Sequence, residues 1–104
     1  EDCRRVFYDS LQQTLRLGGT VHSLVIETPF IDIKKKDIVH LGYNTLSVPY
    51  EKTWTCYVGD DKPCLVCDAC RERIESFVLN GLQDPLVPDY DTWKRLEESI
   101  IYKD

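Results

Sequence analysis

The sequence predicts an α/β fold class: the later part of a sheet domain, followed by a helical segment that carries clustered cysteines. Three observations predict it. A helical pattern, a β-branched apolar run and a second helical pattern follow one another in the first half of the chain. The stretch "CYVGDDKPCLVCDAC", residues 56 to 70, then places four cysteines in fifteen positions. Two amphipathic stretches complete the chain.

The first helix is expected over residues 2–17. Asp2 is a candidate cap, Val6, Phe7, Leu11 and Leu15 recur at three- and four-residue steps, and Gly18-Gly19 stops the run. "TVHSLVIETP", residues 20–29, is expected to be a buried strand ending at Pro29. A second helix is expected over 37–46, with Ile38, Leu41 and Leu46 inward and Val48-Pro49 as its break. One strand cannot make a sheet, so the others are expected from further sequence or from a partner. After the cysteines, Ile74, Phe77 and Val78 share one helical face, and Asn80-Gly81 is a good terminator. The tail "DYDTWKRLEESIIYKD" reads as a last helix with Trp93, Leu96 and Ile100 on one side.

The chain has 104 residues, enough for about one domain. Thirteen Lys and Arg against eighteen Asp and Glu give a net charge of −5. That excludes a surface built for nucleic acid, which needs a basic stripe. The one basic cluster, Lys34-Lys35-Lys36, reads as a solvated helix end. No apolar run approaches the roughly 20 residues of a membrane span, and no secretory signal is expected. No membrane association and a cytoplasmic location are therefore expected. The chain neither begins with Met nor contains one, and is expected to be part of a longer protein.

Cys56-x7-Cys64-x2-Cys67-x2-Cys70 is a spacing that lets several thiolates face one ion. Four thiolates suit tetrahedral zinc, and with no position left for water the ion would be structural. Cys70 should open a helix, whose dipole favours a thiolate. A four-thiolate zinc site carries two net negative charges, which Lys62, Arg71 and Arg73 are placed in sequence to offset. Iron–sulfur ligation is the serious competitor, although here the proline, Pro63, precedes the run. Disulfides and a redox Cys-x-x-Cys fit less well. Cys3, between Asp2 and Arg4, is either a buried thiol at a helix start or part of a polar turn facing a ligand. His22 and His40 have no catalytic partner at a telling spacing, and no nucleophile elbow, zincin helix or Walker-type loop is present.

Read as a unit, "TWTCYVGDDKPCLVCDACRERIESFVLNGLQDP" resembles the C-terminal zinc segment of the 7-cyano-7-deazaguanine synthases of queuosine biosynthesis. The matching positions include Trp54, Cys56, Tyr57, Gly59, Pro63, Cys64, Cys67, Asp68, Cys70, Arg73, Phe77, Gly81, Asp84 and Pro85. Upstream, "DCRRVF" resembles the family's Asp-Cys-Arg turn. "IETPFIDIKKKDIVHLG" resembles its strand–turn–helix, with Lys35 on the usual lysine. The resemblance covers roughly residues 2–85. Leu65 stands where the family usually has glycine, Asp60 replaces a second loop glycine, and Lys34 takes the place of a small capping residue.

The resemblance implies an ATP-dependent ligase on a Rossmann-like sheet of the adenine nucleotide alpha hydrolase kind. Such an enzyme adenylates 7-carboxy-7-deazaguanine, admits ammonia to form an amide, and dehydrates the amide to a nitrile with a second ATP. It implies ATP with magnesium as co-substrate, one structural zinc, and a homodimer. The family's Ser-Gly-Gly-x-Asp-Ser loop for ATP is not in this sequence, so a C-terminal portion is expected. Residues 1–50 would end the nucleotide-binding domain, 51–85 form the zinc segment and 86–104 a C-terminal helix. The implied metal ligands are Cys56, Cys64, Cys67 and Cys70, and the implied substrate-side residues are Asp2, Cys3, Arg4 and Lys35. The alternatives are a paralogue that passes the activated carboxyl to another amine and a non-catalytic zinc scaffold.

Overall fold

The computed structural model describes residues 4–102. Its contacts divide into two units, residues 1–33 and residues 34–104.

In the first unit, α1 spans Arg5–Gly18. Arg4 occupies its N-cap with extended backbone and no side-chain cap bond. At the other end the Gly19 N–H donates to the Leu15 carbonyl at 3.0 Å, where the glycine pair was expected to stop the helix. The apolar residues of α1 do not form a buried face. Val6, Phe7 and Leu15 are exposed, and no residue of the helix is buried.

The strand expected at 20–29 is not formed, and the described residues contain no strand. A strand needs the N–H and C=O groups of a neighbour, and no neighbouring strand exists here. The segment finds its partners on α1 instead. The Ile26 N–H donates to Gln12 Oε1 at 2.9 Å, and Arg16 Nε donates to the Leu24 carbonyl at 2.6 Å. His22 Nδ1 lies 2.8 Å from the Arg16 carbonyl. Beyond it the chain turns twice, through Thr28–Ile31 and Phe30–Ile33 bonds of 3.2 Å, and Asp32 pairs with Arg5.

The second unit holds α2 (Lys35–Asn44), a 3-10 turn (Tyr50–Lys52), α3 (Asp68–Leu79) and α4 (Tyr90–Ile101). Helix α3 packs against both α2 and α4. Val39, Ile74, Phe77, Val87 and Trp93 form the core, with Leu65, Leu96 and Ile100 packed against it. Burying each such side chain contributes roughly 1.5–3 kcal/mol.

Helix α2 starts and ends two residues earlier than the expected 37–46, and its buried face is shifted too. Val39 and Gly42 face inward, Ile38 and Leu41 are half-buried, and Leu46 is exposed beyond the helix end. The cause is Tyr50. Its hydroxyl donates to the Val39 carbonyl at 3.2 Å, and a Cβ on Gly42 would fall on that hydroxyl. The Tyr50 ring meets Phe77 edge-on at 5.2 Å, which joins the turn to α3. Burial raises the Tyr50 phenol pKa, with the Arg73 charge pulling the other way.

Helix α3 ends as its Asn80-Gly81 pair requires. Gly81 takes φ +67°, its N–H donates to Val78, and the Leu82 N–H reaches back to Phe77 at 3.0 Å. These are the paired bonds of a Schellman cap. Asp89 caps α4, its carboxylate accepting from the Thr92 N–H at 2.9 Å and hydroxyl at 2.7 Å. Those bonds hold the Asp89 carboxyl below its ordinary pKa, the hydroxyl contributing most. Trp93 is buried with Leu96 and Ile100 beside it, the face expected from their spacing. Among the described residues no helix is long and apolar enough to cross a membrane.

Trp93→Ala should lower the unfolding free energy by about 3–5 kcal/mol, the range for emptying a buried aromatic site. Leu17→Ala, at a side chain that is 77% exposed, should change it by less than about 0.5 kcal/mol. Urea unfolding of both variants checks the placement, and equal losses would contradict it.

Candidate metal centre

The four thiols of Cys56, Cys64, Cys67 and Cys70 lie within 4.8 Å of one another. They arrive from two directions. Cys56 ends the segment that leaves the 3-10 turn, Cys64 and Cys67 come from the loop that leads into α3, and Cys70 from the first turn of α3 itself. Cys67 is the N-cap of α3 and its Sγ accepts from the Cys70 N–H at 3.4 Å, so Cys70 enters the first turn as expected. Cys56 and Cys70 are buried and the other two half-buried.

Backbone amides surround the sulfurs. Cys56 Sγ accepts from Gly59 at 3.1 Å and from Cys64 at 3.3 Å. Cys64 Sγ accepts from Val66 at 3.4 Å and Cys67 at 3.2 Å. Such bonds favour thiolate over thiol, because the acceptor carries the charge. The Cys64 N–H accordingly draws the Cys56 pKa down to about 6, and the Tyr57 N–H is the main cause of the lowered Cys67 value. Burial pushes Cys70 up to about 12, partly offset by the Leu65 N–H.

This donor set fits a metal ion. An ion with Zn–S bonds of about 2.3 Å spaces its sulfurs about 3.8 Å apart, within reach of thiols already this close. A four-iron cluster would need a wider cage, since its cysteines sit outside four irons. Four thiolates close the coordination shell, so the ion would brace the fold and offer no site for water.

Leu65 sits between the second and third cysteines with φ +65°, the left-handed region that glycine adopts freely. The turn demanded by the resemblance is therefore made, but by a branched side chain under strain of roughly 1–2 kcal/mol. Its compensation is packing, for Leu65 lies against the core.

Arg73 does not stand as a free counter-charge for the thiolates. Its Nε and Nη2 grip the Asp84 carboxylate at 2.7 Å and 3.0 Å, with both residues buried. Nη1 donates to Thr53 Oγ1 at 2.8 Å, and Nη2 also to the Tyr50 carbonyl at 3.0 Å. Sequence reasoning missed this pairing. One available signal was position: Arg73 falls one turn after Cys70 and one turn before Phe77 on the buried face of α3.

Among the residues expected on the substrate side, Asp2 and Cys3 lie outside the described residues. Arg4 belongs to the first unit and Lys35 to the second. Lys35 is the first residue of α2 and is half-buried, between exposed Lys34 and Lys36, so the cluster is a solvated helix end only in part. The three lysines line a recess of about 290 Å³ with Glu72, Glu75 and Ser76 of α3.

Helices packed around one another, with a thiol cluster at the start of the central helix, define a cysteine-cluster protein able to hold one metal ion. Comparison with known proteins narrows this. The family model described as queuosine biosynthesis protein QueC matches residues 1–81, and the chain belongs to that family. It is 46% identical over 93 residues to the 7-cyano-7-deazaguanine synthase of Archaeoglobus fulgidus, covering 89% of this chain and 38% of that protein. It is 43% identical to the synthase of Trichodesmium erythraeum and 44% to that of Nostoc punctiforme, each over 83% of this chain and 40% of the relative. The chain thus spans about two-fifths of the length of the curated relatives it matches. No solved structure matches it at a significant level.

The strain at Leu65 has a measurable sign. With the side chain removed in both cases, Leu65→Gly should be more stable than Leu65→Ala by about 0.5–1 kcal/mol, the reverse of the usual order. Thermal unfolding of the two variants tests it, and an alanine advantage would rule out a left-handed residue there.

Proposed function

We propose that this chain is the C-terminal portion of a 7-cyano-7-deazaguanine synthase, an ATP-dependent carbon–nitrogen ligase of queuosine biosynthesis. The observation that carries the reading is the thiol cluster at the head of α3 in a chain of this family. The substrates would be 7-carboxy-7-deazaguanine, ammonia, and ATP with magnesium, the nucleotide held mainly by parts of the enzyme outside this chain. A cytoplasmic homodimer is the proposed setting. The Rossmann-like sheet is likewise proposed for the longer protein.

Within the proposed enzyme, Cys56, Cys64, Cys67 and Cys70 hold one zinc ion. The bound zinc supplies no chemistry of its own and contributes on the order of 10 kcal/mol of folding free energy. Its effect is to lock residues 56–70 against α3 and so give one wall of the site a fixed shape. Asp2, Cys3, Arg4 and Lys35 are proposed on the substrate side. For Lys35 the support is electrostatic: it opens α2 among two further lysines, where the helix's N–H groups also favour an anion. An acyl-adenylate or a carboxylate would gain from that field.

Two measurements test the reading. Elemental analysis of the purified chain should find one zinc, and Cys67→Ser should lose it together with the helical signal of α3. A variant that keeps both metal and midpoint would exclude the zinc site. The parent protein, given ATP, 7-carboxy-7-deazaguanine and ammonia, should yield the nitrile by mass spectrometry. ATP use with the deazaguanine transferred to another amine would identify a paralogue, and no turnover would leave a zinc scaffold.

A further inference from the structure

We propose that Arg73 is a positioning residue for the metal centre, fixing the segment that delivers Cys56 onto the helix that delivers Cys70. The inference rests on the reading that the four thiolates hold a metal ion.

The thiols are not equally constrained. Cys64, Cys67 and Cys70 follow one another at two-residue gaps, and their relative placement is set locally by the N–H···S bonds within the loops and by the start of α3. Cys56 is separated from Cys64 by seven residues. On the loop side its sulfur takes the Gly59 and Cys64 amides, and the Tyr57 N–H beside it reaches Cys67. None of these contacts reaches back past Cys56, where its approach from the other side needs an anchor of its own.

That anchor is visible. Thr53 stands three residues before Cys56, and Arg73 three residues after Cys70. The 2.8 Å bond between Arg73 Nη1 and Thr53 Oγ1 ties the two ligand-bearing segments together at equal remove from their thiols. Arg73 Nη2 adds the Tyr50 carbonyl at 3.0 Å, and Thr53 Oγ1 itself donates to that carbonyl at 2.8 Å. Trp54 Nε1 donates to the Cys56 carbonyl at 2.9 Å, so the residue after Thr53 is itself tied to the ligand residue.

The role of Arg73 is geometric. Its charge is matched by Asp84, whose second contact, from the Leu86 N–H at 3.0 Å, also fixes the chain after Gly81. A buried ion pair is a poor source of stability, because desolvation cancels much of the attraction, and apolar side chains of equal volume often do better. What the guanidinium does offer is a rigid fork of donors, here directed at Asp84, Thr53 and Tyr50 from one plane. A lysine can carry the charge but not that arrangement.

Cobalt(II) binding to the full chain tests the proposal, because its thiolate charge-transfer and d–d bands report the coordination geometry. Thr53→Val, which leaves Arg73 and Asp84 paired, should weaken metal binding about ten-fold and shift the d–d bands, as loss of outer contacts does elsewhere. Thr53→Ser should restore both, and Arg73→Lys should behave like Thr53→Val. Leu96→Ala, which loosens the core from the side of α4, should lower the thermal midpoint and leave the bands unchanged. Thr53→Val with native affinity and bands would overturn the proposal, and so would a band shift of equal size in Leu96→Ala. A native chain that shows no charge-transfer band at all would fail the metal reading itself, an outcome recognisably different from an unshifted band.

Discussion

Cys70, Arg73 and Phe77 share one face of α3, and the second unit is organised by that coincidence. The same few turns of helix present a thiol to the cluster, a guanidinium to the chain on either side and an aromatic ring to the core. Metal site and apolar core are therefore one structure. A unit of this size buries limited apolar surface, and a metal ion held by the thiols at the head of its central helix would add a staple to that packing.

The electrostatics follow the same economy. Backbone N–H groups bring partial positive charge to the sulfurs. The buried cation is assigned elsewhere, to Asp84, where the pair is neutral as a whole.

Much of the site was legible in the sequence because its spacing is local. Two-residue gaps between cysteines, a helix start at Cys67 and Cys70, and a glycine terminator at Gly81 depend on a few neighbouring residues, and each is present. The last helix was legible too, since Trp93, Leu96 and Ile100 follow a simple period. The strand at 20–29 was not, because β-branched composition expresses a preference that only a pairing neighbour can realise, and α1 took up its hydrogen bonds. The face of α2 was misjudged by one residue, because periodicity ranked Ile38 and Leu41 by hydrophobicity while Gly42 was chosen by the Tyr50 hydroxyl. The Arg73–Asp84 pair spans eleven residues and a helix end, a distance at which no sequence period speaks.

Helix α1, with no buried residue, implies a graded resistance to opening along the chain. Its amides are protected by helical hydrogen bonds alone, so hydrogen exchange there reports local fraying and proceeds early. The amides near Ile74 and Phe77 exchange only when the core and the thiol cluster come apart together. The chain thus joins a slow-exchanging nucleus around α3 to a helix whose amides exchange early.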